Sequence, residues 1–326
     1  MRKIKIGLAL GSGGARGLAH IGVLKVLKRE KIPIDLIVGT SMGSLIGGIY
    51  ASGMDAVTME EIAINISWQQ TARFFTPTIS KAGLVDGNKI EKLLESFIGK
   101  KRIKDLKIPF ATVSTDIENG KQAVIKNGKV SRAIRASCSI PGIFTPLKHR
   151  NRFLVDGGLV NPVPVDVARE MGADIVIGVN VIPAIIRKSK SHEIDKIEKA
   201  LKGKNLSTLT KGNINSKIIN SRISKFIDEK IKGAGIKQKL SEIFMGKRKT
   251  KEKPKMPTIF NILMQSTLIM EREIIKLKLK DADIAIETEF KRFVNPMQYY
   301  RAAECILEGE KAAEKVLSRI REIMPK

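Results

Sequence analysis

The chain has 326 residues, 43% of them hydrophobic. That is enough for one large domain or one domain with an insertion, and no apolar run approaches the roughly 20 residues of a membrane span. The two cysteines, Cys138 and Cys305, stand far apart and outside any C-x-x-C pattern, which excludes a disulfide framework and suits a reducing, cytoplasmic setting, and the three histidines lack metal-ligand spacing. The formal net charge of +26 implies a polyanionic neighbour, either nucleic acid or an anionic membrane surface.

The basic start Met1-Arg2-Lys3-Ile4-Lys5 precedes an apolar stretch broken at once by glycines, so Lys3 to Leu10 reads as a first strand and not as a signal peptide. It runs into Gly11-Ser12-Gly13-Gly14-Ala15-Arg16-Gly17 and then a helix over Leu18 to Glu30, apolar at Ile21, Leu24 and Leu27. A strand, a glycine loop and a helix allow two readings. The exposed N–H groups could cradle a dinucleotide pyrophosphate, or they could face a tetrahedral intermediate as an oxyanion hole. The G-x-G-x-x-G spacing fails in both registers, meeting Arg16 in one and Ser12 in the other. The acidic residue a dinucleotide needs about 20 positions on would be Asp35, which instead enters the next strand.

That strand, Ile34 to Val38, leads into Gly39-Thr40-Ser41-Met42-Gly43 and a helical run, Leu45 to Ala51. This is the spacing of a nucleophile elbow. A strand turning sharply into a helix brings the residues two before and two after the apex together, and glycine avoids the clash. Ser41 at the apex lifts its hydroxyl clear of the backbone, at a helix N-terminus that favours developing negative charge. An ordinary glycine-containing βα turn has the same five-residue spacing, so the pattern needs corroboration.

Met54 to Lys107 reads as helices and turns. Trp68 to Thr78, with Phe74 and Phe75, and Leu84 to Ile98 are expected as flanking elements, the phenylalanines in the core or lining an acyl pocket. Phe110–Asp116 and Gln122–Ile125 read as strands, Val130–Ser137 as a helix, and Ser139 to Pro146 as an irregular loop. The strand Phe153-Leu154-Val155 ends in Asp156-Gly157-Gly158. A helix from Asn161 to Met171 and a β-branched strand, Ile175 to Val181, follow.

The composition then changes. Residues 185–255 hold 21 Lys or Arg against 7 Asp or Glu, which is over half of the net charge. Recurring Ile and Leu suggest basic amphipathic helices that bind a membrane surface, or a solvated and partly disordered insertion. With only Phe226 and Phe244 as aromatics, nothing supports nucleic acid as the partner. Order resumes near Pro257, with a helix over Ile259 to Leu277, a strand over Asp283 to Ile286 and a terminal helix from Pro296 to Met324. The expected organisation is 1–184 and 257–326 forming one catalytic domain, interrupted by a basic insertion at 185–256.

A serine nucleophile needs a base. His20 sits in the first helix and reads as a packing or capping residue, His149 precedes the Asp156 strand, and His192 falls in the basic insertion. None follows Ser41 in the order and setting of an α/β-hydrolase triad. A carboxylate is the alternative. Asp156 ends an apolar strand, with two glycines allowing close backbone approach, although Asp-Gly-Gly is also a plain turn.

Four blocks together resemble the patatin-like phospholipases, especially their compact bacterial branch: Gly11 to Gly17 with Arg16, Gly39 to Gly43, Ala136-Ser137-x-x-x-Pro141-x-x-Phe144-x-Pro146, and Asp156-Gly157-Gly158. The likeness spans nearly all of residues 4–182 and, more faintly, 257–315. It implies a three-layer α/β/α sandwich with a mainly parallel sheet, distinct from the α/β hydrolases, and hydrolysis of lipid acyl esters without a cofactor or metal. It further implies a Ser41–Asp156 dyad, with Ser41 as nucleophile and Asp156 as general base. The Gly13 and Gly14 amides would hold the oxyanion, Arg16 would support their loop, and Gly39, Gly43, Gly157 and Gly158 would shape the turns. Two features depart from the pattern: Ser12 stands where many members have glycine, and the basic insertion is additional. Acyl transfer to a second alcohol, or a non-catalytic adaptor on a membrane, are the competing functions. The expected location is cytoplasmic, peripheral on the inner face of the membrane.

Overall fold

The computed structural model describes residues 3–65, 85–183, 259–290 and 294–324. The expected flanking segment Trp68 to Thr78, with Phe74 and Phe75, and the basic insertion at 185–256 lie outside these residues. Among the described residues, eight strands form one sheet, with β1 Ile6–Leu10, β2 Leu36–Thr40, β3 Phe110–Asp116, β4 Gln122–Ile125, β5 Leu147–His149, β6 Arg152–Asp156, β7 Ile175–Asn180 and β8 Ile284–Glu287. Their hydrogen-bonded order is β5-β6-β3-β2-β1-β7-β8, with β4 paired to β3. The pairs β1–β2, β1–β7, β2–β3 and β7–β8 are parallel; β3–β4, β3–β6 and β5–β6 are antiparallel.

The helices are α1 Ala19–Arg29, α2 Met42–Ala51, α3 Ala56–Asn65, α4 Asn88–Ile98, α5 Val130–Ser137, α6 Val165–Glu170, α7 Ile259–Lys278, α8 Ala302–Glu314 and α9 Leu317–Ile323. Strand periodicity assigns them to two layers. Ile6, Leu8 and Leu10 of β1, with Ile177 and Val179 of β7, join one core with residues of α1, α2, α5 and α8. The alternate residues Ala9, Leu36, Val38 and Val176 join a second core with Val165 and Val167 of α6 and Leu268 and Ile275 of α7. The result is the expected α/β/α sandwich. The terminal helix is split: α8 ends at Glu314, α9 begins at Leu317, and Val316 between them leaves helical geometry (φ −110°, ψ 4°) while Ile320 stays buried. Between the expected loop, Ser139 to Pro146, and the Asp156 strand the chain also forms β5, which makes a hairpin with β6.

The register on β3 creates the site. β4 occupies one edge of β3, and β2 and β6 share the other edge end to end: Thr40 pairs with Val113, and Asp156 pairs with the next residue, Ser114. β2 runs parallel to β3 and β6 antiparallel, so their C-terminal ends meet head-on. Ser41, the residue after Thr40, therefore arrives beside Asp156.

Candidate active site

Ser41 caps α2 with φ 53° and ψ −120°, one of the few non-glycine residues with positive φ. Such a conformation costs about 1–3 kcal/mol and persists only where its surroundings impose it. Here they do. The Ser41 N–H donates to Ser137 Oγ at 2.8 Å, and that hydroxyl donates to the Val113 carbonyl. The Ser41 carbonyl accepts from Ser44 Oγ at 2.6 Å and from Cys138 Sγ at 3.2 Å. Both elbow glycines are sterically required: a Cβ on Gly39 would stand 2.4 Å from the Ser44 backbone, and one on Gly43 would stand 2.1 Å from the Leu10 carbonyl oxygen.

Ser41 Oγ donates to Asp156 Oδ2 at 2.6 Å, and the Gly158 N–H donates to Asp156 Oδ1 at 2.8 Å. The Asp156 backbone is pinned by its own N–H to the Ser139 carbonyl and by Thr115 Oγ1 to its carbonyl. Burial pushes the carboxyl up to about 6, against the lowering effect of the hydrogen bonds from Ser41 and Gly158. A Cβ on Gly157 would meet the Val113 carbonyl oxygen at 2.3 Å, so this glycine lets the turn lie flat on β3. Arg135, buried in α5, donates to Ser139 Oγ and to the Thr145 carbonyl, holding the loop that holds Asp156.

The glycine loop lies against the elbow, since a Cβ on Gly17 would overlap Met42 and one on Gly43 would crowd the Leu10 and Gly11 carbonyls. Within it the amides of Gly11, Ser12 and Ala15 donate to Val179, Pro162 and Pro296. Among the described residues, none accepts from the amides of Gly13 (φ 159°) or Gly14 (φ 57°). The Arg16 side chain is fully buried behind this loop; burial lowers it to about 10, with Glu271 opposing, so it stays charged.

His20 is not aimed at Ser41. Its Nε2–H donates to the Gly11 carbonyl at 2.8 Å, and burial lowers it to about 4, so it is a neutral strut for the loop. His149 lies in β5, and His192 falls outside the described residues. Burial pushes the Cys138 thiol far up, which leaves it a neutral packing group. Glu271 of α7 was not visible as a site residue, because it sits inside an apolar-periodic helix. It accepts from Ser12 Oγ at 3.2 Å, so the departure from glycine at position 12 has a partner. A Cβ on Gly158 would stand 2.3 Å from Glu271 Oε1. Burial first, then the charge of Asp156, push Glu271 up to about 8; Ser12 and Arg16 act in the other direction.

Ser41 and Gly14 open onto a cavity of about 200 Å³ lined almost wholly by apolar side chains, among them Leu18, Ile46, Ile62, Leu94 and Phe144. Among the described residues, no group of His, Cys, Asp and Glu is arranged to hold a metal ion, and no helix is long and apolar enough to cross a membrane. A serine hydroxyl on a desolvated carboxylate, two unclaimed amides and an apolar cavity form a set suited to acyl transfer from an ester with a long hydrocarbon chain.

The sequence model of the family described as patatin-like phospholipase matches residues 8–169. An uncharacterized NTE family protein of Mycobacterium tuberculosis is 37% identical over 180 residues, covering 54% of this chain and 49% of that protein. Human patatin-like phospholipase domain-containing protein 6 is 37% identical over 181 residues, covering 54% of this chain and 13% of its own length. The chain therefore spans about half the length of the mycobacterial relative and a small part of the human one. Among solved structures, VipD from Legionella pneumophila aligns over 97% of this chain and 67% of its own at a TM-score of 0.51 and 13% identity, a likeness of fold.

Proposed function

The chain belongs to the patatin-like phospholipase family, and on that premise we propose that it is a serine lipid acyl hydrolase cleaving phospholipid or lysophospholipid esters through Ser41 and Asp156. The observation that carries the reading is the 2.6 Å hydrogen bond from Ser41 Oγ to a buried carboxylate at the mouth of an apolar cavity. Ser41 Oγ attacks the ester carbonyl carbon as Asp156 Oδ2 takes its proton. The oxyanion is received by the Gly13 and Gly14 amides, with the α2 N-terminus behind the nucleophile. The tetrahedral intermediate collapses, the C–O bond to the alcohol breaks, and Asp156 returns the proton to the leaving oxygen. Water, deprotonated by Asp156, then attacks the acyl carbon; the bond to Ser41 Oγ breaks, Asp156 returns the proton to Oγ, and the acid leaves. An ordinary aspartate is a weak base for a hydroxyl; raised to about 6, Asp156 is about two orders of magnitude more basic yet still mostly ionised at neutral pH.

The membrane-surface partner enters through charge. The basic stretch 185–256 would bring the protein to an anionic leaflet by counter-charge, at about 1 kcal/mol per lysine or arginine near the surface, on the cytoplasmic side in this reading. Fatty-acid release from phospholipid and lysophospholipid micelles, measured for the wild type, Ser41→Ala and Asp156→Asn, tests the proposal. Turnover by the wild type that falls at least about 10³-fold in both folded variants is expected. Turnover that survives Ser41→Ala would sink it.

A further inference from the structure

Helix α7 carries a face that the chemistry above does not use. Its inward side runs through Met264, Leu268, Glu271 and Ile275, at spacings of one helical turn. Met264 packs on the cluster of Val85, Ile143 and Phe144, and Phe144 also lines the acyl cavity. Leu268 and Ile275 enter the core under the sheet, and Glu271 holds Ser12 of the glycine loop. The outward side exposes Ile259 (72%), Ile262 (45%), Leu263 (60%), Ile269 (57%) and Met270 (54%). At 100° per residue these five fall within one arc of about 120°, opposite the inward set. A helix on the surface of a globular protein normally puts polar side chains there; on this one Ser266 and Glu273 share the arc with the apolar residues, and Leu277 (65%) extends the apolar face into the last turn.

The sequence next to this face supplies the second part. Lys247-Arg248-Lys249-Thr250-Lys251-Glu252-Lys253-Pro254-Lys255 ends four residues before Ile259. In any conformation, Lys255 is within about 14 Å of the helix start. An apolar helical face joined to a run of cations is the two-signal combination that anchors a protein on an anionic bilayer, where either signal alone is weak. A nucleic acid would use the cations and leave the isoleucines in water.

We propose that the outward face of α7 is the surface on which the protein seats itself on an anionic bilayer. Seating would set the Met264–Phe144 side of the acyl cavity one helix diameter, about 10 Å, from the lipid. The assignment of the cavity to lipid substrate rests on the hydrolase reading; the docking face does not.

The test is flotation with vesicles of phosphatidylcholine, with and without phosphatidylglycerol, run beside turnover of a soluble short-chain ester. The variants are Ile262→Ser/Leu263→Ser/Ile269→Ser/Met270→Ser and a second in which the six cations of 247–255 become Gln. The wild type should float with anionic vesicles. The serine variant should lose at least about tenfold in partitioning while keeping its ester turnover, and the glutamine variant should lose the preference for anionic lipid. As a single-site check, Ile269→Trp should add a blue-shifted emission on anionic vesicles. Wild-type-like flotation of the serine variant, or an Ile269→Trp emission that stays that of a water-exposed indole, would overturn the docking face. Absent ester turnover in a wild type that floats would instead count against the hydrolase reading alone.

Discussion

Replacing Glu271 by Gln should stabilise the protein, and the gain should grow with pH. Glu271 Oε1 and Asp156 Oδ1 lie 2.3 Å and 3.2 Å from one point, the position of a Cβ on Gly158, so they are at most about 5.5 Å apart. Two charges at that distance repel by about 3 kcal/mol at an effective dielectric constant of 20. Burial is the larger cause and this repulsion adds to it, while the Ser12 hydrogen bond and the Arg16 cation offset part; together they move Glu271 from 4.5 to about 8. Between those values the folded protein keeps a proton that the unfolded chain has released, so stability falls as pH rises through the window. Gln has the same shape, still offers Ser12 an acceptor and does not titrate. Its advantage over the wild type should be near zero at about pH 4.5 and reach on the order of 3–5 kcal/mol by about pH 8. Urea unfolding of both proteins at about pH 5, 7 and 8.5 reads this as diverging midpoints. A variant less stable than the wild type at neutral pH, with a gap closing toward acid, would refute the reasoning: Glu271 would then be ionised and paired with Arg16.

The dyad predicts an activity that rises as pH passes through about 6, because Asp156 must be deprotonated to accept the Ser41 proton; kcat/KM against a soluble ester from about pH 4 to 8 checks it, and a flat profile would contradict it. Ser137→Ala strips a hydrogen bond from the Ser41 N–H and another from the Val113 carbonyl, both buried. It should cost about 2–4 kcal/mol in denaturant unfolding, and turnover should fall further than the stability loss explains, because the strained elbow loses its tie. Ile46→Phe puts a ring into the acyl cavity and should lower kcat/KM for long acyl esters by about tenfold relative to short ones, read by competing the two chain lengths in one assay.

What the chain declared of its site lay in local spacing. Gly39-x-Ser41-x-Gly43 and Asp156-Gly157-Gly158 are legible because each glycine is imposed by backbone a few ångströms away, and such demands leave single-residue marks. The near-continuous apolar runs of β1, β2 and β7 likewise mark buried strands, as their burial on both faces of the sheet requires. The meeting of Ser41 with Asp156 was not legible from spacing. It depends on β2 and β6, over a hundred residues apart in the chain, each pairing with the same edge of β3 so that their ends meet, and only the family resemblance suggested it. Glu271 was hidden for a different reason. On α7 it sits among apolar residues as one charge in a long helix, and nothing local separates a buried carboxyl from a solvated one. Ser137 and Ser139 stood inside a block that the resemblance singled out, yet their work, tying the elbow and the Asp156 strand, is visible only in three dimensions. His20, the residue a triad search reaches first, is a neutral strut on the glycine loop.

The most direct test of the account is labelling with a fluorophosphonate probe, with the modified peptide located by mass spectrometry in the wild type and in Asp156→Asn. The account predicts a single adduct on Ser41, formed at a rate that follows the ionisation of Asp156 and falls by orders of magnitude in Asp156→Asn. An adduct on any other residue, or equal labelling of Ser41 with Asp156 removed, would contradict it.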